Sequence, residues 1–185
     1  MDGERKSPWN SLEVVKLCAS LLTPIVIALI GYFVQQQLAV QSRAWQSQQR
    51  ILERRLQIYD AISGDLNRIY CFVDDVGTWK EDNPETIISY KRAIDRKMFS
   101  QQAIWSRDVF KAYNDYMNAA FKTYQGVGTD AQIRTTDAQK KSLLGWKPEW
   151  SARLTEETGR EHNEVYLKLM ELMSRDMSLV APTGN

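Results

Sequence analysis

Apolar positions along this chain change their period twice. Positions 17–34 read LCASLLTPIVIALIGYFV, a run without a charge, and Leu12, Val14 and Val15 extend it on the near side. An α-helix rises 1.5 Å per residue, so about 20 residues cross a hydrocarbon layer of about 30 Å. The run has that length. Pro24 and Gly31 weaken a helix in water but are common in helices surrounded by lipid. Tyr32 and Phe33 stand near one end, where aromatic rings favour the interface. The pattern predicts a transmembrane helix over 17–34 after a short N-terminal tail, 1–16. A cleaved signal peptide has a shorter apolar core and a small-residue cleavage site. A buried central helix needs a second apolar block to cover it. Here bulky, Gln-rich sequence follows, and no such block exists.

Beyond the run the period becomes seven. Leu38, Trp45, Leu52, Tyr59, Leu66 and Val73 recur at that interval, with Leu56, Ile62 and Ile69 in neighbouring core positions. No proline falls between Gln35 and Asp74, and Gly64 is the only glycine there. Such a repeat is a seam for packing another helix. Over 35–51 the stripe is thin and Gln35, Gln36, Gln37, Gln41, Gln46, Gln48 and Gln49 dominate. This stretch reads either as a juxtamembrane stalk that self-associates, a coiled coil, or as a solvated spacer.

Residues 52–185 read as a helical bundle. Asn83-Pro84-Glu85 is a helix start, with an Asn cap, Pro at the first position and an acid in the first turn. Ile87, Ile94 and Met98 define the buried face of that helix. Ser106 with Asp108 opens the next, whose face carries Phe110, Tyr113, Met117, Phe121 and Tyr124 and which ends at Gly126 and Gly128. A loop spans Gly126 to Gly145. A short helical turn begins over Trp146–Trp150, and a last helix, about Arg160 to Leu179, buries Val165, Leu169, Leu172, Met173 and Met177. The expected fold is all-α: an N-terminal transmembrane helix continuing into a long stalk helix and a cytoplasmic helical bundle.

Composition then narrows the class. Of 185 residues 43% are apolar and 25% charged, with 24 basic and 23 acidic side chains. These averages exclude a polytopic membrane protein, a collagen and a polybasic nucleic-acid binder, so no specific nucleic-acid binding is expected. Flanking charge sets orientation. Arg43, Arg50, Arg54 and Arg55 follow the apolar run, against Arg5, Lys6 and Lys16 before it. The balance favours an N-terminus outside and a cytoplasmic C-terminal domain. Cys18 and Cys71 form no disulfide framework.

Catalytic patterns fail. The single histidine, His162, belongs to no His-Glu-x-x-His or paired-Cys motif, so no metal or other cofactor is expected. The Arg-x-x-x-x-His signature of HEPN-type ribonucleases needs Arg where Glu157 stands. The chain is expected not to be an enzyme. A polar stripe remains. Asp60, Asn67 and Asp74 fall seven apart at the edge of the seam. Lys91 sits between Ile87 and Ile94, with Asp95 one turn on and Arg92 and Arg96 beside them. Asp130 and Arg134 lie four apart in the long loop. These residues either fix helix register as ion pairs or form a small-anion or nucleotide site with Lys91, Arg92 and Arg134 as donors. The loop aromatics Trp79, next to Lys80, and Trp146 and Trp150 are lids on the core, or contacts for a partner or the membrane surface.

The stretch from Arg55 to Thr135 resembles a largely uncharacterised family of small bacterial single-pass membrane proteins. The residues that carry this are Arg55-Leu56, Tyr59-Asp60, Leu66-Asn67, Tyr70-Cys71, Gly77-x-Trp79-Lys80, Pro84, Lys91-Arg92 with Asp95, and Tyr113. Phe121, Tyr124, Gly126-x-Gly128 and Asp130-Ala131 with Arg134 complete it. The resemblance implies an anchor with a cytoplasmic helical domain and a bacterial source; it implies no activity. In layout alone the chain is similar to small CRISPR-associated membrane proteins that oligomerise into pores.

The expected function is a membrane-anchored helical sensor or effector in the bacterial inner membrane, oligomerising to perturb the membrane in stress or phage defence. The alternatives are a passive scaffold for a cytoplasmic partner, and an enzyme with an unrecognised site. The expected partners are the lipid bilayer, a homo-oligomer through the stalk, and a cytoplasmic protein or small anionic ligand.

Overall fold

A computed structural model of the chain describes residues 11–123, 130–155 and 161–177. The first ten residues of the expected tail, Tyr124, Gly126, Gly128, Arg160 and Leu179 lie outside the described residues. The chain divides into two units, 1–49 and 50–185.

Helix α1, Ser11–Asp74, has 64 residues and contains Pro24. In the first unit its stretch Ser20–Leu38 is long and apolar enough to cross a membrane, with a mean hydropathy of 1.5 and no residue of it buried. In the second unit the sevenfold stripe turns inward. Ile62, Leu66, Ile69 and Phe72 are fully buried, Val73 is buried, and Tyr59, Leu52 and Leu56 are half-buried against the core. The stripe's first members, Leu38 and Trp45, are 58% and 65% exposed.

The end of α1 is made by its backbone. Asp75 takes φ 58° and Gly77 φ 57°. An aspartate tolerates that left-handed conformation through its short polar side chain, and glycine enters it without strain. A Cβ on Gly77 would also stand 3.2 Å from the Cys71 Sγ. The reversal brings a turn of 3₁₀ helix, Trp79–Glu81, back over the core and leads into α2, Pro84–Ser100. As expected, the Asn83 side chain caps α2, accepting from the Thr86 N–H at 3.0 Å. Ile87, Ile94 and Met98 are fully buried. Ser106 caps α3, Arg107–Ala120, accepting from the Val109 N–H at 3.3 Å.

Helix α3 ends earlier than its periodicity suggested. Phe121 is extended (φ −135°, ψ 143°) and starts a two-residue strand, β1, Phe121–Lys122, antiparallel to β2, Gln132–Ile133. Part of the expected loop therefore has regular structure. It contains β2 and a single helical turn, α4, Asp137–Lys140. The reason is burial: the Phe121 and Ile133 side chains, paired across the ribbon, are both buried. The last carbonyls of α3 are taken by Arg134, whose backbone N–H donates to Ala120 O at 2.8 Å and whose Nε–H donates to Asn118 O at 3.0 Å. A cation therefore closes this helix where glycine was expected. The 3₁₀ turn Pro148–Arg153 follows the Trp146–Trp150 signal. Helix α5, His162–Asp176, packs on α3 and buries Leu169, Leu172 and Met173, with Met177 just beyond its end. Val165 is half-buried. Apart from the short ribbon and an isolated bridge between Ile133 and Leu154, the described residues form helices joined by turns and irregular links, so the fold is all-α.

Candidate functional site

The polar residues singled out in the sequence fall in separate places. Lys91 lies low on α2 with only 11% of its side chain exposed, and its Nζ donates to Asp95 Oδ2 at 2.6 Å. The other oxygen of Asp95 accepts a short hydrogen bond from the Tyr113 hydroxyl of α3. Burial, then that hydrogen bond and the carboxylate charge, raise the Tyr113 phenol far above its ordinary range. Tyr113 is thus a permanent donor near neutral pH and cannot serve as a base. The Lys91 Nζ also stands 5.6 Å from the centre of the Phe121 ring. This is a closed triad tying α2 to α3.

Arg92 reaches a different partner. Its Nη2 donates to Asp130 Oδ2 at 2.5 Å, and Arg153 Nη1 donates to the same oxygen at 2.7 Å. Partial burial pushes Asp130 up, but the Arg92 hydrogen bond and charge, the Ala131 N–H and Arg153 outweigh it and hold the carboxyl below its usual range. Asp130 does not pair with Arg134, because 130–134 is extended and a rise of about 3.3 Å per residue sets positions four apart about 13 Å from each other. Arg134 caps α3 instead. Asp60 and Asn67 are exposed on α1 and join neither group. Asp130 and Arg153 line an open cleft of about 460 Å³ with Glu85, Lys122, Gln132 and Trp150. Its charged lining is mixed in sign.

Trp79 is buried and Lys80 exposed, with the Lys80 Nζ 5.5 Å from the centre of the Trp79 ring. Trp146 packs edge-on to the buried Trp150 at 5.6 Å. Trp79 belongs to the core cluster and Trp146 packs against it, while Trp150 lines the cleft.

Sequence reasoning missed the groups gathered at the end of α1. Its last turn carries no basic residue. Lys140 of α4 supplies one: fully buried, its Nζ makes short hydrogen bonds to Phe72 O and Asp75 Oδ1, 4.4 Å from the centres of the Phe72 and Trp79 rings. Burial lowers its pKa, and Asp75 and Asp74 oppose the shift. The Thr135 hydroxyl donates to Val73 O at 3.3 Å. His162, 1% exposed, places Nδ1 3.2 Å from Asp74 Oδ1. Its ring lies between Tyr70 and Tyr116, with centroids at 5.8 and 5.1 Å. Further back along α1, Arg55 donates to Ile104 O at 2.8 Å and to Asp176 O at 2.5 Å. Two of these carried a signal. His162 is three residues before Val165 on the apolar face of α5, and Arg55 interrupts the seam between Leu52 and Tyr59. Lys140 carried none, because a four-residue helix has no period to read.

No group of three or more His, Cys, Asp or Glu placed to hold a metal occurs among the described residues. The arrangement supports fixed helix register more than chemistry. Lys91→Met tests this: the loss of one partner of a nearly buried pair is expected to destabilise the domain by about 1–3 kcal/mol in urea unfolding. A variant as stable as the parent would free Lys91 for a ligand-binding role. No protein-family model, curated protein or solved structure matches the chain.

Proposed function

We propose that this chain is a single-pass membrane protein of the bacterial plasma membrane, a member of the family it resembles. Its helical domain is a cytoplasmic sensor or effector. One observation carries the reading: Ser20–Leu38 has no buried residue. Leu21, Leu22, Ile25, Val26, Ile27 and Leu29 are each at least half exposed. Such side chains contribute about 1.5–3 kcal/mol each when they leave water, and soluble monomers rarely expose so large an apolar patch. A bilayer is the environment that fits them. The stretch carries no charged residue, which suits an anchor better than an ion path.

Binding of a cytoplasmic protein or small anionic ligand at the domain would bias packing of the adjacent helix by population shift. The output we propose is membrane perturbation during stress or phage attack. Three expected results test this. Alkaline carbonate should leave the full chain in the membrane pellet and release a variant lacking 17–34. A reporter fused after Asn185 should be active only on the cytoplasmic side. Induced expression should depolarise cells carrying a potential-sensitive dye; an anchored chain that leaves the potential unchanged is a scaffold instead.

A further inference from the structure

The apolar stripe of α1 is satisfied in one part of the helix and open in another. Ile62, Leu66, Ile69 and Val73, spaced alternately by four and three, define a heptad register with two seam positions. In the second unit this seam is filled: Ile62, Leu66 and Ile69 are fully buried. It stops at Arg55, a seam position whose guanidinium donates to Ile104 O and Asp176 O. Carried back toward the N-terminus, the register places Leu38, Trp45 and Leu52 at one seam position and Val34, Gln41 and Gln48 at the other. Leu38, Trp45 and Val34 are all more than half exposed.

The sequence around this open stripe indicates what covers it. Arg43 and Arg50 are the only charged residues over 35–50, and both fall at the heptad position opposite the seam. In a parallel pair of identical helices each seam residue meets its own copy, whereas the residues beside the seam meet the opposite flank of the partner, where like charges would repel. Here the flanks are uncharged. The seam residues Gln41 and Gln48 suit the same arrangement. An amide side chain both donates and accepts, so it pairs with its own copy and fixes register. A partner of different sequence would need none of this self-complementarity.

We propose that residues 34–49 form a parallel two-stranded coiled coil with a second copy of this chain, with Leu38 and Trp45 as apolar layers and Gln41 and Gln48 as amide layers. The parallel orientation rests on the membrane anchoring proposed above, which points both copies the same way. Anchoring also answers the shortness of the segment. A seam of little more than two heptads holds two free chains together only weakly, but confinement to one bilayer raises the effective concentration of the partner.

The test is cross-linking of the full chain in membranes, with Cys18→Ala and Cys71→Ala removing the native thiols. Single cysteines replace Leu38, Trp45, Arg43 or Arg50, and a short bismaleimide bridges thiols that meet. The expected result is a strong dimer band from positions 38 and 45 and background from 43 and 50. Equal bands at all four positions, or none at 38 and 45, overturn the coiled coil. A ladder above dimer from position 45 overturns the two-stranded form. Carbonate extraction of the same samples separates the two proposals. Chain in the pellet without dimer at 38 and 45 defeats the coiled coil alone. Chain released by carbonate with dimer at 38 and 45 defeats the anchor alone.

Discussion

Lys140→Ala should be the most damaging single substitution in the domain, lowering its stability by about 3–5 kcal/mol. Four losses combine. The carbonyl of Phe72 at the end of α1 loses its donor, and Asp75 loses its ion-pair partner. The space between the Phe72 and Trp79 rings is left empty, since the Lys140 side chain has no exposed surface. The ammonium also compensates the negative end of a 64-residue helix whose own last turn holds no cation. Lys140→Met fills the space without the charge and should cost clearly less than alanine. Asp75 keeps some access to water, with 23% of its side chain exposed. Adding Asp75→Asn to Lys140→Met should recover most of the loss, because asparagine suits φ 58° and no carboxylate is left without its cation. Urea unfolding of the detergent-solubilised chain, followed by tryptophan emission, measures all three. A Lys140→Ala chain within 1 kcal/mol of the parent, on the ~3–5 kcal/mol scale of a broken buried pair, would show that the pair is dispensable.

The contrast between Lys140 and the residues first singled out shows what sequence pattern carries. Periodicity and capping chemistry are local, so the starts of α2 and α3 at Asn83 and Ser106 were legible, as were their buried faces at Ile87, Ile94, Met98, Tyr113 and Met117. Apolar content placed the uncharged stretch that suits a membrane. The ribbon was not legible. Phe121 continues the helical spacing of α3, yet pairs with Ile133 twelve residues on, a contact set by burial rather than local preference. The same held for charges. Lys91 with Asp95 is an i,i+4 pair on one helix and was visible, whereas Arg92 and Arg153 meet on Asp130 from two distant elements. Asp74 was picked out for its spacing to Asp60 and Asn67, but its partner is His162, eighty-eight positions away.

That pair should make the domain lose stability on mild acidification. The carboxylate of Asp74 can only accept, so Nδ1 of the neutral ring carries the hydrogen and donates it. Nε2 is buried and has no partner among the described residues. A bare nitrogen in that place is tolerable, but protonation would put a charged N–H there with no acceptor. Burial accordingly lowers the His162 pKa, and the attraction and hydrogen bond of Asp74 offset only part of the shift. The unfolded chain takes up its proton near pH 6.5, so just below that the unfolded state holds more protons than the folded one. Stability therefore falls as pH drops from about 6.5 toward the folded-state value, by at most ~1.4 kcal/mol per pH unit. His162→Phe keeps the stacking on Tyr70 and Tyr116 without the titration, and should remove this part of the slope between pH 7 and pH 5. Because the chain contains one histidine, its ring proton resonance follows the site without assignment and should titrate below 6.5. A midpoint above 6.5 would reverse the sign: Asp74 would then dominate burial, and His162 would stabilise the domain as the pH falls.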